Sequence, residues 1–270
     1  MAESSPTYEA ILYEKRGRIA LVTLNRPAKL NAWTATMEAE FIDAVERTAL
    51  DGELAVMVIT GAGRAFCAGG DISGWASDMK GGAAPTMTSP HLARDGSPEV
   101  PIALSRGKPV IAAINGPAIG IGLTMSLACD IRLASEKASF SARFVKVGLT
   151  PECGSTRYLP LVAGLSNALY LALTGRIIEA DEALERRLID RIVPHDQLLD
   201  EALALAEEIA ANPVDAVWGA KRLIHTNAVE DDLRRVVTQE VSSLREMRRT
   251  PDHAEAVRAF VEKRPPKFGG

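Results

Sequence analysis

Apolar residues near the start of the chain follow two different periods. Residues 8–13 and 18–24 have the composition of strands, and Arg16-Gly17 between them is typical of a hairpin turn. A helical period comes next, because Thr34 can cap a helix whose apolar face is made by Met37, Phe41 and Val45. The pattern predicts a β-hairpin followed by an amphipathic helix.

Two unbroken apolar runs, residues 54–59 and 110–114, have the length of strands. Such runs are expected where a strand is buried on both faces, as in a parallel sheet with helical crossovers. Each run is followed by a turn rich in small residues, and the second turn opens a helix that extends to about Leu127. Residues 130–133 predict a third strand. The repeat of strand, turn and helix predicts an α/β body with right-handed crossovers.

The later part of the chain changes character. Residues 76–98 are rich in glycine, proline, serine and threonine with little period, which predicts a mobile surface loop and a candidate lid. Helical periods dominate after about residue 154, with helices predicted over 196–211, 231–248 and 251–263. Their apolar faces need partners on the body and on other subunits. We therefore divide the chain into a core, residues 1–195, and a C-terminal helical oligomerisation region, residues 196–270.

Composition narrows the functional classes. The 270 residues are 47% hydrophobic and 24% charged with a net charge of −4, which does not favour a nucleic-acid-binding protein. No apolar run approaches the roughly 20 residues of a membrane span, and the first residues lack the pattern of a signal peptide. The three cysteines are widely spaced, with no disulfide or metal pattern, so we expect a cytoplasmic protein without a metal site.

Two glycine-rich segments carry the candidate chemistry, Arg64–Ile72 and Lys108–Gly122. Each places small residues after a buried strand, where a ligand can approach the backbone closely. A dinucleotide site is disfavoured, because the third glycine of a GxGxxG pattern is replaced by Phe66 in one segment and Met125 in the other. A GxxxxGK phosphate-binding loop is also lacking.

These segments, together with Leu24-Asn25-Arg26-Pro27 and the C-terminal Ala259–Arg264, resemble the crotonase superfamily, the enoyl-CoA hydratase/isomerase family. The resemblance covers nearly the whole chain. It implies an α/β fold, a crotonase (ClpP-like) spiral of ββα units with a C-terminal helical trimerisation region. It also implies an acyl-CoA substrate, with no cofactor beyond the coenzyme A carried by that substrate, and a homotrimer or dimer of trimers.

By position, the resemblance assigns two backbone N–H donors to Ala68 and Ile121. Such donors stabilise the oxyanion that forms as a thioester becomes an enolate, and the start of a helix at Ile121 would add a favourable dipole. Lys29 and Lys263 could equally be solvated surface lysines. The contacts to coenzyme A that the resemblance implies are Lys29, Leu30, Ala68, Gly69, Gly70, Asp71, Ile72, Gly120, Phe260 and Lys263.

Hydratases of this family use two glutamates, and the matching positions hold Thr124 and Phe144, which we assign to the acyl pocket. Neither side chain can act as a carboxylate. Glu152 stands where double-bond isomerases and the 4-chlorobenzoyl-CoA dehalogenase type have an acidic residue. One buried carboxylate suits the transfer of a proton between two carbons. Alternatively, Glu152 is an acid favoured by the dipole of the helix that follows.

Three functions stay open after this comparison. Enoyl-CoA isomerisation with Glu152 as acid and base is favoured, with hydration second. Thioester hydrolysis or dehalogenation through an acyl-enzyme on Glu152 is an alternative, in which His91 is either a second group or an exposed loop histidine. The third is a non-catalytic acyl-CoA binder, because a fold alone does not determine a reaction.

Overall fold

The strands of this computed structural model, which describes residues 7–72 and 100–268, form two sheets. The larger sheet has six strands in the order β1-β2-β3-β4-β6-β9, and the smaller has three in the order β5-β7-β8. The strands are β1 Ile11–Arg16, β2 Ile19–Leu24, β3 Val56–Gly61, β4 Val110–Ile114, β5 Ala118–Ile119, β6 Ile131–Ser135, β7 Ser139–Ser141, β8 Ile178–Glu179 and β9 Arg191–Val193.

Helices occupy most of the remaining described chain. Two short 3₁₀ helices, Pro27–Lys29 and Arg143–Val147, lie in the connections. The α-helices are α1 Ala35–Leu50, α2 Val100–Arg106, α3 Ile121–Leu127, α4 Ser155–Ala163, α5 Leu165–Thr174, α6 Ala180–Glu185, α7 Leu198–Ala210, α8 Val214–Asn227, α9 Leu233–Met247 and α10 Pro251–Glu262.

The larger sheet confirms the predicted parallel arrangement. Only β1 and β2 pair antiparallel within it, while β2, β3, β4, β6 and β9 pair parallel. The first strand begins later than the sequence suggested and continues to Arg16, so the hairpin turn lies at residues 17–18, where Gly17 has a φ of 58°. The carboxyl ends of β3 and β4 lie side by side, and each leads into one of the glycine-rich segments.

Each face of the larger sheet is covered by helices. Met37 and Phe41 of α1 and Leu123 of α3 belong to one apolar cluster. On the other face, α7 packs its Ala202 and Ala206 against the strands in a second cluster. Alanine at these positions lets the helix backbone approach the sheet closely, which explains how the two layers reach high packing density.

A buried group of charges, the Asp130 cluster, fastens α8 to the body. It consists of Asp130, Lys221 and His225. The Lys221 ammonium is almost fully buried and donates to the carbonyls of Leu104 at 2.6 Å and Lys108 at 3.0 Å, and to Asp130 Oδ2 at 2.8 Å. His225 Nε2 lies 2.8 Å from Asp130 Oδ1. The histidine therefore has a structural partner that its place in the sequence did not indicate.

The C-terminal helices keep much of their apolar surface exposed in the single chain. Leu233 and Leu244 on α9 and Phe260 and Val261 near the end of α10 are all exposed. On α5, Leu165 and Leu173 are exposed as well. Among the described helices, none has the length and hydropathy needed to cross a membrane.

Candidate active site

Asn31 joins the loop after β2 to the loop after β3. Its side chain is fully buried, and its backbone is left-handed with a φ of 54°. The amide oxygen accepts from Arg26 N at 2.8 Å, and the amide nitrogen donates to the carbonyls of Ala62 at 3.0 Å and Ala65 at 2.8 Å. One side chain thus holds two loops in register.

The same two loops are also joined through their backbones. Trp33 N donates to Gly69 O at 2.8 Å, and Asp71 N donates to Trp33 O at 3.1 Å. An Arg26–Asp71 ion pair with a 3.1 Å N–O distance closes the end of this contact. The segments that the resemblance assigned to coenzyme A, residues 29–30 and 68–72, therefore form one continuous surface.

The second glycine-rich segment packs directly on the first. Cys67 N donates to Pro117 O at 3.0 Å, and Ile119 N donates to Cys67 O at 2.9 Å, so a short parallel bridge joins the two turns. A Cβ atom on Gly122 would stand 2.2 Å from Cys67 O, and one on Gly116 would stand 2.1 Å from Arg64 O. Glycine is required at both positions because backbone occupies the place of a side chain.

The structure corrects one of the two assigned N–H donors. Ala68 N donates to Leu30 O at 3.0 Å, so this donor is already used in joining the loops. Two residues later, Gly70 N has no acceptor within residues 7–72 and 100–268. The sequence assignment failed here because motif position alone does not show which amide of a turn is engaged.

The second assigned donor, Ile121, begins α3. Gly120 precedes it with a φ of 54°, which a residue with a side chain rarely adopts, and Gly120 N is bonded to Ser141 O at 2.9 Å. Amides of a first helical turn have no partner within the helix, and Ile121 N has none elsewhere in the described chain. Gly69 packs beside Ile119 and Gly120, so the Gly70 and Ile121 amides come from adjoining segments.

The two positions that match the hydratase glutamates are both buried. Thr124 in α3 is 0% exposed, and its hydroxyl lies 3.4 Å from Ile121 O within the same helix. Phe144, in the 3₁₀ helix Arg143–Val147, is 6% exposed. Neither carries a charge, so this part of the site is apolar.

Glu152 follows Pro151, which lines the same cavity as Thr124. It lies in the connection to α4, where Cys153 and Gly154 both have positive φ and turn the chain sharply. Ser155 N donates to Glu152 O at 3.1 Å and so holds the turn together. Burial raises the pKa of the Glu152 carboxyl above its ordinary value, and the charge of Glu38 in α1 raises that pKa further.

The residue after Glu152 is a buried cysteine. Burial raises the pKa of the Cys153 thiol, and the charge of Glu152 acts in the same direction. The thiol is therefore kept neutral and serves as a packing group rather than a nucleophile. Its left-handed backbone, with a φ of 54°, is unusual for a residue with a side chain and is held by this packing.

A cavity of about 170 Å³ lies between α3, α4 and α5. Thr124 of α3 and Pro151, the neighbour of Glu152, line one side of it. Leu159 of α4 and Leu169 and Ala172 of α5 line the other. The cavity therefore extends from the Thr124 position toward the surface of the helical layer.

The remaining candidate residues are exposed. Lys29 and Ile72 belong to the surface formed by residues 29–30 and 68–72, whereas Lys263 and Phe260, which is 85% exposed, lie at the C-terminal end of α10. His91 and the 76–98 loop lie outside the described residues. Within residues 7–72 and 100–268, no group of three or more histidine, cysteine or acidic side chains could hold a metal ion.

Comparisons with known proteins agree on one family. Residues 14–270 match the family model described as enoyl-CoA hydratase/isomerase. A relative from Escherichia coli K12 named 1,2-epoxyphenylacetyl-CoA isomerase is 36% identical over 97% of this chain and 99% of its own length. A short-chain-enoyl-CoA hydratase from Clostridium acetobutylicum is 34% identical, over 94% of this chain and 95% of its own.

Solved structures give the same result. A probable enoyl-CoA hydratase/isomerase from Mycobacterium abscessus superposes with a TM-score of 0.82 at 37% identity, covering 96% of this chain and 98% of that one. The fold, the residues matched and the coverage are all consistent with the crotonase architecture that the sequence predicted. The chain therefore belongs to the enoyl-CoA hydratase/isomerase family.

Proposed function

We propose that this protein binds an acyl-CoA thioester and moves a carbon–carbon double bond of its acyl group, with Glu152 as the single acid and base. One observation carries the proposal. The two hydratase positions hold the uncharged, buried Thr124 and Phe144, while Glu152, whose neighbour Pro151 lines the same cavity as Thr124, has a raised pKa. A general base becomes more effective as its pKa approaches the working pH, and burial moves the pKa of Glu152 in that direction.

The chemistry needs two kinds of group. Glu152, as carboxylate, takes a proton from C2 of a 3-enoyl thioester, and the electron pair moves into the thioester carbonyl. The Gly70 and Ile121 amides donate to the oxygen as it becomes negative. Losing one donor of this kind typically costs about 3–4 kcal/mol of transition-state stabilisation. Glu152 then returns the proton to C4, which leaves the conjugated 2-enoyl thioester.

Hydration needs a second acidic group, and the two matching hydratase positions, Thr124 and Phe144, do not supply one. Addition of water across the double bond requires one group to activate water and one to deliver a proton. The relatives include one named a short-chain-enoyl-CoA hydratase and one named a 1,2-epoxyphenylacetyl-CoA isomerase.

The direct test compares wild type with Glu152→Gln on a 3-enoyl-CoA. Formation of the conjugated product is followed by absorbance and checked by mass spectrometry. General acid–base catalysis is worth about 10²–10⁴ in rate, so the variant should lose at least about 100-fold in kcat. Glu185→Gln, an exposed acid on α6, is the matched control and should match wild type.

Two results would contradict the proposal. Equal turnover by Glu152→Gln and wild type would remove Glu152 from the mechanism. A mass gain on the protein during turnover, lost in Glu152→Gln, would instead indicate that the carboxylate attacks the thioester and forms an acyl-enzyme.

We further propose a homotrimer or a dimer of trimers in the cytoplasm. Exposed apolar side chains on α5, α9 and α10 support assembly, since a contiguous apolar surface of this kind commonly forms an interface. The three cysteines are free and buried, which suits a reducing compartment.

A further inference from the structure

We infer that Arg26 is a positioning residue of the proposed active site. Its guanidinium holds the backbone contact between Trp33 and Gly70 and so aims the Gly70 amide at the thioester oxygen. The inference rests on the proposed acyl-CoA function and adds to it a residue that acts through its neighbours rather than on the substrate. The sequence pattern assigned Arg26 no role, because its two side-chain partners lie 6 and 45 residues further along the chain.

The direction of the Gly70 amide is determined by its neighbours in the chain. Trp33 N donates to Gly69 O and Asp71 N donates to Trp33 O, which makes a parallel bridge between Trp33 and Gly70. Successive N–H groups of an extended backbone point to opposite sides. The Gly70 N–H lies between these two bonds and therefore points away from Trp33. If the bridge shifts or turns, the amide turns with it.

Trp33 gives this bridge a fixed base. Its ring packs edge-on against Phe41 of α1, with ring centroids 5.6 Å apart and an interplanar angle of 66°. Phe41 is fully buried, so the Trp33 side of the bridge is anchored in the core. Gly70 has no side chain to pack, and its backbone must be held by other groups.

Arg26 fastens both sides of the bridge at once. Its Nη1 donates to Ala32 O at 2.5 Å, and its Nη2 donates to Asp71 Oδ2 at 3.1 Å. Ala32 is next to Trp33 and Asp71 is next to Gly70, so one guanidinium spans the bridge. The planar fork of arginine holds two acceptors in a fixed relation, whereas a lysine ammonium is a compact point charge.

The surroundings give this pair more weight than an ordinary surface ion pair. The side chains of Arg26 and Asp71 are 25% and 20% exposed, so both are largely shielded from water. The pair between Arg47 and Asp43 on α1 is a contrast, because its side chains are 45% and 44% exposed and such pairs contribute little. A displacement of about 1 Å in a reacting geometry can cost about 100-fold in rate, so a small loosening of the bridge is measurable.

Infrared difference spectroscopy of bound acetyl-CoA, isotopically labelled at its carbonyl carbon, tests the inference without any chemical step. Hydrogen bonds to the thioester oxygen weaken the C=O bond and lower its stretching frequency, so the bound band reports on the donors directly. The band should lie lower in the wild-type complex than in buffer. Arg26→Gln should lose about half or more of that lowering, while its affinity for coenzyme A alone stays within about threefold of wild type.

Two further variants make the comparison specific. Arg47→Gln, which removes the exposed pair on α1, is the control and should keep the wild-type band. Arg26→Lys keeps the positive charge but not the fork, and its band should lie between those of the wild-type complex and free acetyl-CoA. The bound band arises only from folded protein that holds the ligand, so a loss of stability does not imitate the effect.

The outcomes separate this inference from the proposed function. A wild-type band in Arg26→Gln, or in Arg26→Lys where only that variant folds, would overturn the inference alone. Loss of coenzyme A binding in both variants would overturn it as well, since Arg26 would then hold the binding surface rather than the direction of the donor. A wild-type protein that binds no acetyl-CoA, or binds it without lowering the band, would overturn the proposed function and, with it, this inference.

Discussion

The Asp130 cluster offers the most direct test of what holds the C-terminal helices to the body. The change is Asp130→Asn, which keeps the shape of the side chain and removes its charge. Lys221 then keeps an ammonium group in a site where its side chain is only 4% exposed, with the Leu104 and Lys108 carbonyls as its remaining acceptors. The NH₂ group of the new asparagine also faces donors whose hydrogen bonds the Asp130 carboxylate had accepted.

The magnitude follows from these contacts. Removing one partner of a buried ion pair costs about 3–5 kcal/mol. The lower end applies, because the Asp130 side chain retains 19% exposure and two carbonyls still accept from Lys221. A loss of about 3 kcal/mol lowers the melting temperature of a chain of this size by about 6–12 °C.

The assay is denaturant unfolding at pH 7 and fixed protein concentration, since assembly makes apparent stability depend on concentration. Glu201→Gln is the control, because its pair with Arg191 is exposed on both sides and should cost about 0.5 kcal/mol or less. A cost below about 1 kcal/mol for Asp130→Asn would refute the idea that this cluster is a principal fastening of α8.

Four further outcomes follow from the structure. Burial raises the pKa of Glu152, so its ionisation opposes folding above its ordinary pKa; Glu152→Gln should therefore unfold at higher denaturant than wild type at pH 8 but not at pH 4. Burial alone would raise the pKa of Asp130, but His225 and Lys221 hold it below its ordinary value, so its stabilisation is present at neutral pH and should be lost as acid titrations pass below pH ~4. Gly122→Ala must separate two backbones that a Cβ would bring to 2.2 Å, and should cost at least about 2 kcal/mol in unfolding and weaken acyl-CoA binding. Sedimentation at micromolar concentration should show a trimer or hexamer; a stable monomer would contradict the assembly.

The central strands of the large sheet could be predicted from the pattern of apolar residues alone. The runs at 54–59 and 110–114 are entirely apolar, and burial on both faces is the physical reason. The helix beginning at Thr34 was equally clear, and the structure confirms that the Thr34 side chain accepts from Met37 N at 3.2 Å. A long segment repeats its pattern of apolar positions often enough to show whether it forms a helix or a strand.

The smaller sheet could not be predicted. Its strands β5, β7 and β8 have two or three residues each, too few to show a period, and they form because tertiary packing brings their backbones together. The same limit explains why Ala68 was wrongly assigned as a free donor. Only the folded structure shows that Ala68 N is hydrogen-bonded to Leu30 O. The role of Asn31, which joins two loops through its side chain, is likewise a long-range property that the sequence did not indicate.

The contact between the two glycine-rich turns has a consequence for how new reactions arise in this fold. The Gly70 and Ile121 amides, which we propose as donors to the thioester oxygen, come from turns that meet backbone to backbone, so their placement rests on backbone contacts. Positions 124, 144 and 152 are not among the residues that join the two turns. In the mechanism proposed here, the groups that stabilise the enolate could therefore be kept during evolution while the residues that direct its further reaction change.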